Sequence, residues 1–156
     1  MCVAEFLKQC QIQRKIAMQN KITSFTGKYE FLSNSYNSSF MFDGLPYFNA
    51  EAAFQAQKTT DQVIRLRFTD MMAYEAKRKG KSIQIRPGWK NIMDDVMYRV
   101  CKAKFTESEL ADKLRSTNGC ELVYGNDCND YYWGCCNGIG RNKLGRILMR
   151  IREEIL

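Results

Sequence analysis

The sequence has 156 residues, the usual size of one domain, with hydrophobic residues at 45%, charged residues at 26% and a formal net charge of +7. Nothing in it approaches the ~18 consecutive apolar residues of a membrane span, and the N-terminal stretch holds Lys8, Arg14 and Lys15 where a signal peptide would need an apolar run. There is no histidine, which excludes Ser-His, Cys-His and HExxH chemistry together and leaves acid–base work to carboxylates, lysine, tyrosine or cysteine.

Residues 1–20 read as an amphipathic helix using Phe6, Leu7, Cys10 and Ile16, an extension outside the core. Residues 22–25 form a short strand, and 26–38 (TGKYEFLSNSYNS) a polar, aromatic-rich loop. Phe40-Met41-Phe42 and Leu45-Pro46-Tyr47-Phe48 flank Asp43-Gly44, a type I′ hairpin signal, with Pro46 confining the second strand to an edge. Asn49 is the N-cap of a helix running through Glu51, Phe54, Gln55 and Lys58. A second helix is expected over 62–79, stopping at Gly80, then a strand over 82–86 (SIQIR). Pro87-Gly88 turns the chain into a helix from about 90 to 105, and Thr106 with Glu109 forms a capping box for a short helix ending near Asn118-Gly119. A strand over 121–124 enters a glycine-rich loop, 125–141. The last helix, 142–156, carries Leu144, Ile147, Leu148, Ile151 and Ile155 on one face. The sum is a mainly helical α+β domain with a few short strands and a hairpin, residues 22–156, preceded by an N-terminal extension, 1–21.

The seven cysteines are odd in number and irregularly spaced, without a CxxC pair. That argues against a secreted disulfide framework and against zinc, and for free thiols in a reducing compartment, the cytoplasm. The positive charge suits an anionic partner; alone, it reads more simply as a solubilising surplus of lysine.

Three segments carry chemistry. Glu51, Gln55 and Lys58 lie at i, i+4 and i+7 and share a helix face, with Glu51 in the dipole-favoured first turn. By pattern alone this is a solvated stripe more readily than an active site. Asp130-Tyr131-Tyr132-Trp133-Gly134, followed by Asn137-Gly138-Ile139-Gly140-Arg141-Asn142, places rings, an acid and glycines on one long loop. It suits a flat base beside a phosphate, with Asn142 at a helix start, and equally a glycine-rich turn with Trp133 as a core plug. Lys104 falls on the apolar stripe beside Val100 and Cys101, where a lysine ordinarily snorkels to the helix end.

Blocks along the chain then occur in a distinctive order: FTGKYEFLSN (25–34), Asp-Gly-x-x-Tyr (43–47), EAAFQAQK (51–58), Trp89, Val-Met (96–97), Ala-Lys-Phe (103–105), Asp-x-x-Trp-Gly (130–134) and Gly-x-Asn-x-Leu-Gly-x-x-Leu-Met-x-x-Arg (140–152). In that order they resemble the NADAR (YbiA-like) family over roughly residues 22–156. The resemblance implies a single compact YbiA-like domain and metal-independent, cofactor-free N-glycosidase activity on ribosylated substrates. It implies Glu51 and Asp130 as the acids, Trp89 and Trp133 as aromatic walls, and Lys28, in the Gly-Lys-Tyr-x-Phe-Leu-Ser-Asn block, as a mark of a guanine-directed branch. Asn34, Gln55, Lys58 and Gly134 fall within the same blocks as substrate-binding positions, and Lys104, Arg141 and Asn142 are candidates to hold phosphate.

The chain departs from the family pattern at Ala52, where many members have histidine, at Ser35, where phenylalanine is usual, and at Tyr124-Gly125-Asn126-Asp127-Cys128, where many members carry Glu-Gly-Asn-x-Trp, so that Tyr124 and Cys128 replace its glutamate and tryptophan. The reading is hydrolysis of a ribose–base N-glycosidic bond, with ADP-ribosylated guanine in a nucleotide or nucleic acid as substrate. Phosphoribosylamino intermediates of riboflavin synthesis are the alternative within the enzyme class, and a non-catalytic ADP-ribose-binding module the alternative outside it. Amine attack by Lys28 on the ring-opened sugar, with Lys58 in reserve, is a covalent variant of the same chemistry.

Overall fold

The computed structural model describes residues 2–156, with residues 14–19 described by their backbone alone. Helix α1 (Val3–Gln19) leaves Phe6 and Leu7 more than half exposed and Cys10 partly so, whereas Ile16 lies outside the described side chains. Strand β1 (Lys21–Ile22) pairs in parallel with β4 (Glu121–Leu122), tying the start of the domain to its last third. The expected strands over 22–25 and 121–124 are therefore shorter, because only this register has a partner for the backbone. The segment 26–38 is not all loop: Gly27–Leu32 forms a 3-10 helix that buries Phe31 and Leu32.

The hairpin β2 (Phe40–Phe42) and β3 (Leu45–Tyr47) turns on Asp43 and Gly44, both at positive φ (49° and 79°), the type I′ geometry. Helix α2 (Ala50–Ala56) follows directly, capped by Asn49, whose Oδ1 accepts from the Ala52 N–H at 2.8 Å. Its alanines at 50, 52, 53 and 56 are fully buried. Small side chains let neighbouring elements close on this short helix from several sides.

The single helix expected over 62–79 is instead two, α3 (Gln62–Leu66) and α4 (Ala73–Gly80). Three polar contacts break it. The Thr69 hydroxyl donates to the Leu66 carbonyl at 2.8 Å, the Asn49 amide donates to the Met71 carbonyl at 3.0 Å, and Glu75 accepts from the Met72 N–H at 3.0 Å to start a new helix. Residues 82–86 form no strand. The Arg86 N–H donates to the Lys58 carbonyl at 2.7 Å and Ile85 is exposed, so among the described residues the alternating pattern is not paired into a sheet.

The central helix α5 (Trp89–Lys104) starts after Gly88 in the left-handed conformation and packs against α2, β2 and α7 (Lys143–Ile155). Helix α6 (Ser108–Arg115) lacks the expected capping box, since the Thr106 hydroxyl donates backward to the Lys102 carbonyl at 3.0 Å and Glu109 pairs with Lys113. Leu144, Leu148 and Ile151 of α7 are buried at 2% exposure or less, which closes the core from the C-terminal side. All seven cysteines are free thiols. Among the described residues no helix is long and apolar enough to cross a membrane, and no cluster of three metal-ligating side chains occurs.

Candidate active site

A cavity of about 410 Å³ opens between α2, α4, the start of α5 and the loop after β4. Glu51 and Gln55 of α2 face it, as do Asn34, Trp89, Asp130 and Trp133. Lys58 faces it too, but from the turn after α2, because the helix expected to run through Lys58 ends at Ala56 and the Lys58 N–H donates to the Gln55 carbonyl in a tighter turn. The stripe that pattern alone would leave in water is thus a cavity wall. The fold turns it inward because α4 and the segment Ser33–Ser35, which follows the 3-10 helix, border it. Asn34 contributes to that cover through its backbone, its carbonyl accepting from the Glu51 N–H at 3.0 Å.

Glu51 is oriented from below. Its Oε1 accepts from the Gln55 Nε2 at 2.7 Å, and Gln55 is itself only 6% exposed. The Gln55 amide lies against Gly80, where an added Cβ would overlap the amide oxygen. Gly80→Ala is therefore expected to displace Gln55, release Glu51 and lower kcat about tenfold or more, with KM little changed. In a Gln55→Ala background the same substitution should cost almost nothing further, a non-additivity that steady-state kinetics on the double variant checks.

Asp130 is fixed by its own loop. Its Oδ1 accepts from the backbone N–H groups of Tyr132 (3.2 Å) and Trp133 (2.8 Å), while Asn126 accepts from the Asp130 N–H at 3.0 Å and donates to its carbonyl at 2.9 Å. Among the described residues Oδ2 accepts no hydrogen bond, and the residue lines the cavity. Between the two acids, Phe54 packs on Trp89 and edge-on to Trp133, with ring centroids 5.2 and 5.5 Å apart, so the aromatic floor is rigid. Tyr124 completes this wall. Burial, followed by negative charge at Cys128, Asp130 and Glu51, pushes its phenol above the ordinary range, so it stays protonated and able to donate.

Five of the expected site residues lie elsewhere. Lys28 is exposed, with its ammonium 4.8 Å from the Tyr29 ring centroid, and does not line the cavity. Arg141 is exposed over the Tyr132 ring. Asn142 is consumed as a clamp: Oδ1 accepts from the Tyr124 N–H at 3.0 Å and Nδ2 donates to the Leu122 carbonyl at 2.9 Å. The N–H groups at the start of α7 are also taken, by the carbonyls of Gly134, Tyr132 and Trp133, so this helix end presents no free anion site. Gly134 is packed so tightly that a Cβ would overlap the Tyr124 carbonyl.

Lys104 does not snorkel. It is 1% exposed, and its Nζ donates to the Ser33 carbonyl at 2.7 Å, beneath the strap that carries Asn34. Burial lowers its pKa from 10.5 to about 8. Below pH 8 both folded and unfolded chains hold this proton; between about 8 and 10.5 the unfolded chain alone holds it, so stability rises with pH across that window. The full span corresponds to about 3 kcal/mol. Cys101, pushed up to about 12 by burial from an ordinary 9.0, works in the opposite sense above pH 9. Thermal melts from pH 7.5 to 9 should therefore show the wild type gaining stability relative to Lys104→Met.

The residues that sequence reasoning missed are chiefly Tyr124, Tyr74 and Lys77. Tyr74 and Lys77 are three apart on α4 and share a face, a signal that the expectation of one long helix concealed. Tyr124 follows β4 and gives no pattern of its own.

Mainly helical α+β architecture and an acid-bearing, aromatic-walled cavity define the class. Residues 20–156 match the family model of the NADAR domain. The N-glycosidase YbiA of Shigella flexneri serotype 5b is 33% identical over 146 residues, covering 88% of this chain and 91% of that protein. A riboflavin biosynthesis protein of Vibrio vulnificus is 36% identical over 131 residues, 80% of this chain and 35% of its own length. The NMR structure of Escherichia coli YbiA matches with a TM-score of 0.76 at 32% identity, covering 87% of this chain and 85% of that one. The chain belongs to the NADAR domain family, as the ordered blocks of its sequence indicated.

Proposed function

We propose that this NADAR-family N-glycosidase, a hydrolase of N-glycosyl bonds, removes ADP-ribose from guanine bases, with Glu51 and Asp130 as its working acids. The observation that carries the reading is the pairing of those acids in one cavity across an aromatic floor. Such a cavity accepts a flat base and a sugar together, and keeps a carboxylate beside the carbon that becomes cationic.

In this scheme water bonds to the ribose C1 as the C1–N bond breaks, the bonding pair stays on the base nitrogen, and that nitrogen ends with the proton that Glu51 takes from the water. Glu51 takes the proton from water and stabilises the oxocarbenium-like charge, while Asp130 holds a ribose hydroxyl through its open Oδ2. Asp130→Asn keeps the Oδ1 contacts to Tyr132 and Trp133, so it should fold with an unchanged melting temperature and lose activity about tenfold to a hundredfold. Because Lys28 stands outside the cavity, no covalent step is assigned to it; borohydride added during turnover should leave no adduct on Lys28 or Lys58.

The test of the substrate is to incubate the enzyme with ADP-ribosylated guanosine and, separately, with a phosphoribosylamino pyrimidine. Release of ADP-ribose from the first is the expected result. Cleavage of the second alone would overturn the guanine assignment and leave the N-glycosidase in place.

A further inference from the structure

The three positions that the sequence nominates for phosphate, Lys104, Arg141 and Asn142, do not line the cavity. The cavity nevertheless has a strongly cationic end. Lys58 lines the cavity from the turn that follows α2, and Lys77 reaches the same space from α4 with Tyr74 one turn before it. Among the described residues Lys58, Lys77 and the neighbouring Lys81 enter no ion pair. The one acid in the first turn of α4, Glu75, is occupied by the Met72 N–H at 3.0 Å. Lys58 is also half-buried.

Lys77 and Lys81 are exposed, so water screens their repulsion with Lys58, and an anion between Lys58 and Lys77 would gain from both charges. Burial, and then the positive charges of Lys81 and Lys77, lower the Lys58 pKa against the opposing pull of Glu51. Two positive side chains, one from the turn after α2 and one from α4, open toward one space and in no ion pair among the described residues, form a seat for a doubly charged oxyanion. Tyr74 adds an exposed ring and hydroxyl at its edge.

We infer that Lys58 and Lys77, with Tyr74, seat the phosphate of the substrate at the end of the cavity between α4 and the turn after α2. This rests on the N-glycosidase reading for its purpose, but the subsite is defined by charge and geometry alone. It sets the direction of the substrate: the phosphate lies against α4, and the scissile bond lies over the aromatic floor between Glu51 and Asp130. It also gives α4 a role that its sequence, a run of basic residues at a helix end, does not suggest.

The test is calorimetric titration of the intact protein with inorganic pyrophosphate and with ADP-ribose, neither of which requires turnover. Wild type should bind both, and raising salt from 50 to 200 mM should weaken pyrophosphate several-fold. Lys77→Met should weaken both at least tenfold, while Lys113→Met, which removes a lysine paired to Glu109 on α6, should change neither. With substrate, Lys77→Met should raise KM and leave kcat within about twofold. Pyrophosphate that fails to bind wild type, or binds Lys77→Met equally well, overturns the subsite even if Glu51 variants lose all turnover. Binding that depends on Lys77 in a protein that cleaves no N-glycoside would instead overturn the catalytic reading and leave the subsite standing.

Discussion

Glu51→Gln is expected to lower kcat by about 10²–10⁴-fold with little change in KM or melting temperature. The substituted amide keeps an oxygen that accepts from Gln55, so the 2.7 Å contact and the packing of α2 survive. The variant loses the negative charge beside the ribose C1 and the base that takes the proton from water. Because the chain has no histidine, no imidazole can replace that base. Single-turnover kinetics with product separated from substrate check the result, and a melting curve on the same sample shows that the fold is intact. Activity within a few-fold of wild type would remove Glu51 from the chemistry.

The largest stability effect is expected at Arg152, on α7. Its side chain is 6% exposed, and Nη1 donates to the Thr117 carbonyl (2.7 Å), the Thr117 hydroxyl (3.0 Å) and the Cys120 carbonyl (2.9 Å). These bonds fasten the turn before β4, and β4 in turn fixes β1 and the start of the long loop that carries Asp130. Arg152→Ala strips three buried acceptors of their donor and opens a cavity, at a cost of about 3–5 kcal/mol. For a chain of this size that corresponds to a fall in melting temperature of roughly 10 °C, which calorimetry measures directly. Arg152→Lys should recover only part of it, since an ammonium cannot reproduce the planar fork.

Much of the local structure was legible because it rests on short-range chemistry. Asp43-Gly44 states its turn type, Asn49 its cap and the apolar face of α7 its packing side, since each depends on residues within a turn of one another. The structure departs from the sequence pattern where distant groups intervene. Asn49 draws on the Met71 carbonyl and Glu75 caps a new helix start, so the expected helix over 62–79 breaks in two. Residues 82–86 alternate, but a strand also needs an adjacent edge, and here the Arg86 N–H bonds the carbonyl of Lys58 in a turn instead.

The candidate site divides the same way. Composition and the order of the motifs determined the family, the absence of histidine and the identity of Glu51 and Asp130 as the acids to consider. Those are properties of residue type and order, which survive without coordinates. Tertiary structure alone decided that the Glu51 stripe faces a cavity, that Lys28, Arg141 and Asn142 stand away from it, and that Lys77 and Tyr74 enter it from α4. Which way a polar helix face looks depends on what packs beside it, and here the buried alanines of α2 and the close approach of Gly80 to Gln55 turn a face that could sit in water toward the space between helices.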